Sequence, residues 1–324
     1  MTNRSEEGKG REALHRALPS ARFYNVGGRQ LMLYASGTGG PVVVFLPGAG
    51  VTGLGYLNLH EQASRFTTSL LYDRAGTGWS DHAELPRSAT EVTDELRSLL
   101  RVAGVPAPYV FVGHSLGGIY ARRFAQRFPA DVAGLVFLDP GHEDYTTKLP
   151  KPSLRDRLRT SLALFCVLLR FRRLYRGYFE RMFSGWPAPV RDLLFEYHRR
   201  SWRVGLKEAK NFESICDEVR RGGDMPDVPL IVLTGMGIDP FRAMFANEAS
   251  QRQLNDIKLA INRAIANSVP HGEHRVLENA AHATFHIDRP DAVVQAIRDL
   301  LDRAHNSEIR GDASNKTGQW IAEQ

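Results

Sequence analysis

The residues with the clearest chemical potential are Gly113-His114-Ser115-Leu116-Gly117-Gly118. They follow a short apolar run, Tyr109 to Val112, that reads as a buried strand, and they lead into Ile119 to Ala125, which reads as a helix. Strand, G-x-S-x-G and helix together form the context of a nucleophile elbow. The turn is too tight for side chains near the central residue, so Gly113 and Gly117 supply space and Gly118 lets the helix approach the sheet. Such a turn sets the Ser115 hydroxyl at the carboxyl end of a strand, beside the unpaired N–H groups of a helix N-terminus. That placement suits nucleophilic attack on a carbonyl whose oxygen becomes negative.

The elements that must position this serine follow from hydrophobic patterning. Residues 22–26 and 30–34 flank Gly27-Gly28 and predict an antiparallel hairpin. Residues 41–46 form an almost continuous apolar strand ending in the Gly-rich loop Pro47-Gly48-Ala49-Gly50, and a strand at 67–72 runs into Asp73-Arg74-Ala75-Gly76-Thr77-Gly78-Trp79-Ser80. A helix over 89–102, the elbow strand and its helix, and a strand over 132–138 come next. This alternation with short connections predicts a parallel sheet covered by helices on both faces. Residues 140–227 then read as a helical insertion rich in Arg, Leu and Phe. The alternation resumes with a strand at 229–234, a helix over 249–265, a strand at 273–277 and a helix over 291–303. The expected organisation is a disordered segment over 1–20, an α/β core over 21–139 and 228–303, a helical cap over 140–227, and a flexible tail over 304–324.

In these features the chain resembles the α/β-hydrolase superfamily, specifically its serine-nucleophile, esterase- and lipase-like branch with a helical cap. The early Gly-rich loop, the Asp-Arg-x-Gly-x-Gly-x-Ser stretch, Gly-His-Ser-Leu-Gly-Gly and a late His before Arg289-Pro290 occur in the family's order. The resemblance implies Ser115 as nucleophile and His282, in Asn279-Ala280-Ala281-His282-Ala283, as the base that takes its proton. It implies Asp239, five residues beyond the strand ending at Thr234, as the acid that orients His282, with Asp139 at the end of the preceding strand as the alternative. The implied oxyanion donors are the backbone N–H groups of Leu116 and Ala49. The loop begins Pro47-Gly48 where many relatives have His-Gly, and Ala281 stands where Gly is common; neither removes an expected donor. The implied activity is cleavage of a carboxylic ester or related acyl substrate through an acyl-serine, without a cofactor. A C–C bond, lactone or thioester hydrolase would use the same groups, and a non-catalytic ligand-binding module of the same fold is the alternative from another class.

Composition sets the remaining bounds. Of 324 residues, 43% are hydrophobic and 24% charged, ordinary for a globular chain. Cys166 and Cys216 are the only cysteines, so no disulfide framework is implied. No Cys/His spacing suits zinc, and the consecutive His142, Glu143 and Asp144 are poorly disposed to converge on one ion. Residues 1–20 lack an apolar core and the longest apolar run is too short to span a bilayer, so a soluble, cytoplasmic protein is expected. Net charge is +6, concentrated between Lys151 and Arg203, where 13 Lys/Arg face 4 Asp/Glu. Two readings account for that patch: a solvated cap helix over a small, apolar acyl substrate, or a lid in peripheral contact with an anionic membrane. No nucleic-acid motif accompanies the charge, and the oligomeric state is not encoded in any motif.

Overall fold

The structure, a computed structural model, describes residues 2–148, 179–180, 182–239 and 248–308. Eight strands form one sheet: β1 (Ala21–Val26), β2 (Arg29–Ser36), β3 (Val42–Leu46), β4 (Ser69–Tyr72), β5 (Tyr109–His114), β6 (Val132–Leu138), β7 (Leu230–Gly235) and β8 (Gly272–Leu277). Their spatial order is β1-β2-β4-β3-β5-β6-β7-β8. β1 and β2 pair antiparallel through the hairpin at Gly27-Gly28, β2 pairs antiparallel with β4, and every later pairing is parallel.

The apolar runs become central strands because both of their faces are covered. Val43, Phe45, Val110, Val112, Val136 and Leu138 point to one face. Val42, Val44, Phe111, Leu135, Phe137 and Val232 point to the other. This is the two-residue alternation of a strand, with helices supplying the partner surface on each side. Helices α2 (Leu57–Ala63) and α8 (Pro290–Glu308) cover the first face through Leu57, Leu59, Ile297 and Leu300. Helices α3 (Ala89–Val102), α4 (Leu116–Arg127) and α7 (Glu248–Ala266) cover the second through Leu96, Leu99, Phe124 and Ile261. Ser88 opens α3 with a reciprocal cap: its Oγ accepts from Glu91 N, and the Glu91 carboxylate accepts from Ser88 N.

Because α2 follows β3 onto one face and α4 follows β5 onto the other, the chain leaves these neighbouring strands in opposite directions. In open parallel sheets, the crevice beyond the carboxyl ends of such a strand pair is where ligands bind. Between β6 and β7 the chain departs from the sheet, and the described part of this insertion includes α5 (Ala188–Lys210) and α6 (Phe212–Arg221). α6 buries Ile215, Cys216 and Val219 against Val92, Leu116 and Ile119 of α3 and α4. Cys166 and much of the Lys/Arg-rich stretch between Lys151 and Arg203 lie outside the described residues.

The N-terminal segment departs from its expected disorder. Residues Thr2–Ala17 form helix α1, with Leu14 fully buried in the main core. Tertiary contacts outweigh the weak local preference: Arg11 donates to the Asp81 carboxylate at 2.5 Å and to the Trp79 carbonyl at 3.3 Å. Its guanidinium also lies 4.7 Å from the centre of the Phe23 ring. The sheet ends at β8, whose face and flank carry charge: Glu273 bonds Arg275 and Arg303, and Arg275 also reaches Asp299 at 2.6 Å. Among the described residues, no helix is long and apolar enough to cross a membrane.

Candidate active site

Ser115 stands between β5 and α4 with φ 53° and ψ −119°, a backbone region that a residue with a Cβ rarely occupies. The surrounding backbone determines it. Ser115 N donates to Leu138 O at 3.2 Å, while Ser115 O accepts from Gly118 N at 3.0 Å and Gly141 N at 2.8 Å. A Cβ at Gly117 would overlap the Leu46 carbonyl, so glycine is required for α4 to start this close to the end of β3. Strain of this kind persists where neighbouring structure over-determines it, and it is commonly stored at functional sites.

His282 Nε2 lies 3.2 Å from Ser115 Oγ. His282 Nδ1 lies 3.4 Å from Asp139 Oδ2. Since a carboxylate only accepts, Nδ1 carries the proton facing Asp139 and Nε2 presents its lone pair to the serine hydroxyl. The loop carrying His282 is clamped at three successive residues. Ala281 N donates to Asp288 Oδ2 at 2.9 Å, His114 Nε2 donates to the His282 carbonyl at 2.8 Å, and Ala283 N donates to Asp239 Oδ2 at 3.1 Å.

The carboxylate beside His282 Nδ1 is that of Asp139, the alternative in the sequence reading, whereas the preferred Asp239 meets the backbone at Ala283 instead. β7 does not deliver residue 239 to the imidazole. Met236 N and Gly237 N bind the carbonyls of Leu277 and Ala280, turning the chain so that Asp239 meets the backbone at Ala283. Asp139 directly follows β6, the neighbour of the strand bearing Ser115, with φ 42°. Its carboxylate is fully buried; Oδ1 accepts from Gly235 N at 3.0 Å and Oδ2 from Lys258 Nζ at 2.8 Å. Burial works to raise the Asp139 pKa, but the His282 hydrogen bond and the Lys258 charge together outweigh it and hold the carboxyl below its ordinary range.

Several contributors were not legible in the sequence. Lys258, on α7, supports Asp139 and also bonds the Gly235 carbonyl. His114 is more than a packing residue. With Nε2–H committed to the His282 carbonyl, its Nδ1 accepts from Tyr56 Oη at 2.6 Å, and Tyr56 Oη in turn accepts from Gly48 N at 3.5 Å. Burial and the neighbouring histidines keep His114 neutral by holding its pKa well below normal. The H-S pair inside the elbow motif was the one available hint.

Of the two expected oxyanion donors, Leu116 directly follows the serine and Ala49 lies in a loop that runs past it. Leu116 is the first residue of α4, where an N–H has no acceptor within the helix. The Pro47–Gly50 loop passes directly beside the nucleophile, since a Cβ on Gly48 would stand 3.4 Å from Ser115 Cβ. In that loop Gly48 N, Gly50 N and Val51 N are bonded to Tyr56, Glu208 and the Gly48 carbonyl. Among the described residues, the Ala49 N–H meets no acceptor. A cavity of about 230 Å³ opens beside Ser115 and His282. Its apolar lining includes Tyr145, Phe212 and Leu254, and its polar lining includes Gln251, Asn255 and Lys258. Glu143 of the His142-Glu143-Asp144 run pairs with Arg122 at 2.7 Å, and no metal-ligating cluster occurs among the described residues.

The profile of the Alpha/beta hydrolase family matches residues 43–296. The YbdG protein of Bacillus subtilis is 30% identical over 138 residues, which span 42% of this chain and 42% of that protein. The chain thus aligns to less than half the length of this relative. Among solved structures, Cfl2 from Burkholderia cenocepacia superposes with a TM-score of 0.64 at 19% identity, covering 87% of this chain and 95% of that one. A thermophilic esterase from Thermogutta terrifontis gives a TM-score of 0.52 at 20% identity, covering 88% of this chain and 99% of that one.

Proposed function

As the chain belongs to the alpha/beta hydrolase family, we propose that it is a serine hydrolase that cleaves a carboxylic ester or related acyl substrate through a covalent acyl-Ser115 intermediate. The observation that carries this reading is the continuous line from Ser115 Oγ to His282 Nε2 and from His282 Nδ1 to Asp139. His282 takes the serine proton as Oγ attacks the acyl carbon, and Asp139 holds the imidazole in the required tautomer and stabilises its positive charge. The N–H groups of Ala49 and Leu116 receive the oxyanion, a contribution of about 2.7–4 kcal/mol per donor in comparable sites. His282 then returns the proton to the leaving alcohol. Water, deprotonated by the same nitrogen, attacks the acyl-serine and frees the acid. The small cavity bordered by Tyr145, Phe212 and Leu254 suits a short, largely apolar acyl group, with the insertion over 140–227 acting as its cap.

Intact mass after exposure to a fluorophosphonate tests the proposal. One adduct on wild type and none on Ser115→Ala or His282→Ala is expected. A folded wild type that takes no adduct refutes the activated serine and leaves the ligand-binding alternative.

A further inference from the structure

We infer that the buried Arg74–Glu208 pair is a positioning device that sets the oxyanion loop from the helical insertion, so that Ser115 is competent only while α5 is docked. The inference rests on the function proposed above.

Arg74 follows β4, and Glu208 lies near the end of α5, 134 residues away in sequence. Both side chains are almost completely buried. The guanidinium makes a two-pronged contact with the carboxylate, Nε to Oε1 at 2.6 Å and Nη2 to Oε2 at 2.7 Å. Its remaining donors do not face solvent. Nη1 donates to Pro47 O at 3.0 Å and Nη2 to Gly48 O at 2.7 Å. From the opposite side, Glu208 Oε2 accepts from Gly50 N at 2.7 Å. One ion pair thus holds the loop by carbonyls before Ala49 and by an N–H after it.

The insertion reinforces this grip. Tyr197 Oη, also on α5, donates to Gly50 O at 3.2 Å and stacks on Trp79. Gly50 has φ +69°, and a Cβ there would approach Gly205 N and Ser201 O of α5 to 2.8 Å. Backbone therefore touches backbone where α5 crosses the loop. The Ala49 N–H, the one loop donor without an acceptor among the described residues, is flanked by groups held from the core side by Arg74 and Tyr56 and from the insertion by Glu208 and Tyr197. Withdrawal of α5 removes the Glu208 carboxylate from Gly50 and leaves Arg74 unpaired, which frees the loop to rotate.

Bidentate arginine–carboxylate pairs combine strength with orientation. Removing one member of a buried pair is destabilising, whereas replacing both with apolar residues of similar size is often tolerated. The full-length protein is therefore compared with Glu208→Gln and with the double variant Arg74→Met/Glu208→Met. Hydrolysis of p-nitrophenyl butyrate gives kcat and KM. Affinity for an alkyl boronic acid, which forms a tetrahedral adduct on serine, reports the oxyanion site. The double variant is expected to unfold at the wild-type temperature, lose about 100-fold in kcat with KM little changed, and bind the boronic acid correspondingly more weakly. Glu208→Gln, which leaves the buried Arg74 without its counter-ion, is expected to lose kcat and boronic acid affinity in the same way but to unfold at a lower temperature. A stable double variant with wild-type kcat and boronic acid affinity overturns the inference, as does a loss carried by KM alone. Wild type that fails to react with the fluorophosphonate refutes the hydrolase reading itself, whereas reactive wild type matched by equally active variants refutes only the latch.

Discussion

At the scale of single residues, the site turns on which aspartate serves His282. Asp139 and Asp239 each follow a strand at the same end of the sheet, and a sequence pattern cannot say which turns towards the imidazole. Ser115 and His282 were legible because glycine spacing and chain order constrain them. The acid depends on how Met236 and Gly237 bind the end of β8 and its loop, and on Lys258 reaching Asp139 across 119 residues. Substitution separates the two carboxylates. Asp139→Asn is expected to lower kcat by about 10⁴-fold, because the amide favours the wrong imidazole tautomer. Asp239→Asn keeps an oxygen acceptor for Ala283 N and is expected to have a much smaller effect. Steady-state kinetics of the pair decides the assignment, and the reverse ranking restores Asp239.

At the scale of elements, the parallel strands were legible because a strand covered on both faces must be almost continuously apolar, as in Val42–Leu46 and in positions 230–233 of β7. The hairpin at Gly27-Gly28 and the helix over 89–102 carried equally direct signals. Helix α1 did not. It contains Gly8 and Gly10, has no acidic residue in its first turn, and depends on distant contacts to Asp81 and Trp79. Leu14 is its buried anchor. Leu14→Ala is expected to cost about 2–5 kcal/mol in urea denaturation, the range for an aliphatic side chain removed from a closed core. A change near zero would mean that α1 contributes little to the folded core. The Arg74–Glu208 connection was invisible for a related reason: its partners sit on separate elements, and neither residue type is distinctive alone.

At the scale of the molecule, several neutral histidines are built into the interior, which ties stability to pH. Burial pushes both His60 and His286 down to about 3, and His114 lies well below its ordinary value. Their unfolded counterparts titrate near 6.5, so below that pH the unfolded chain binds more protons than the folded one. This contribution to stability is complete above about pH 6.5 and is lost as pH falls towards 3, at about 1.4 kcal/mol per pH unit for each histidine. Urea midpoints between pH 8 and 4.5 should be level at first and then decline. His286→Phe, which removes two buried ring nitrogens that lack partners, should make the decline shallower. An unchanged slope would show that His286 is not held neutral.

The charged margin at β8 has a consequence for how the molecule behaves among copies of itself. An open parallel sheet ends in a row of unpaired backbone groups, a template on which a foreign strand can assemble. Here that row is guarded by Glu273, Arg275 and their partners Arg303 and Asp299. The two arginines donate to Glu273 and draw its pKa down to about 2, with the Arg275 hydrogen bond the largest influence. Glu273 therefore stays ionised even in acid strong enough to begin protonating the histidines inside. A second molecule approaching edge-on meets fixed charges that it must strip of water before any ninth strand can form, so the sheet carries its own protection against growing into a fibre.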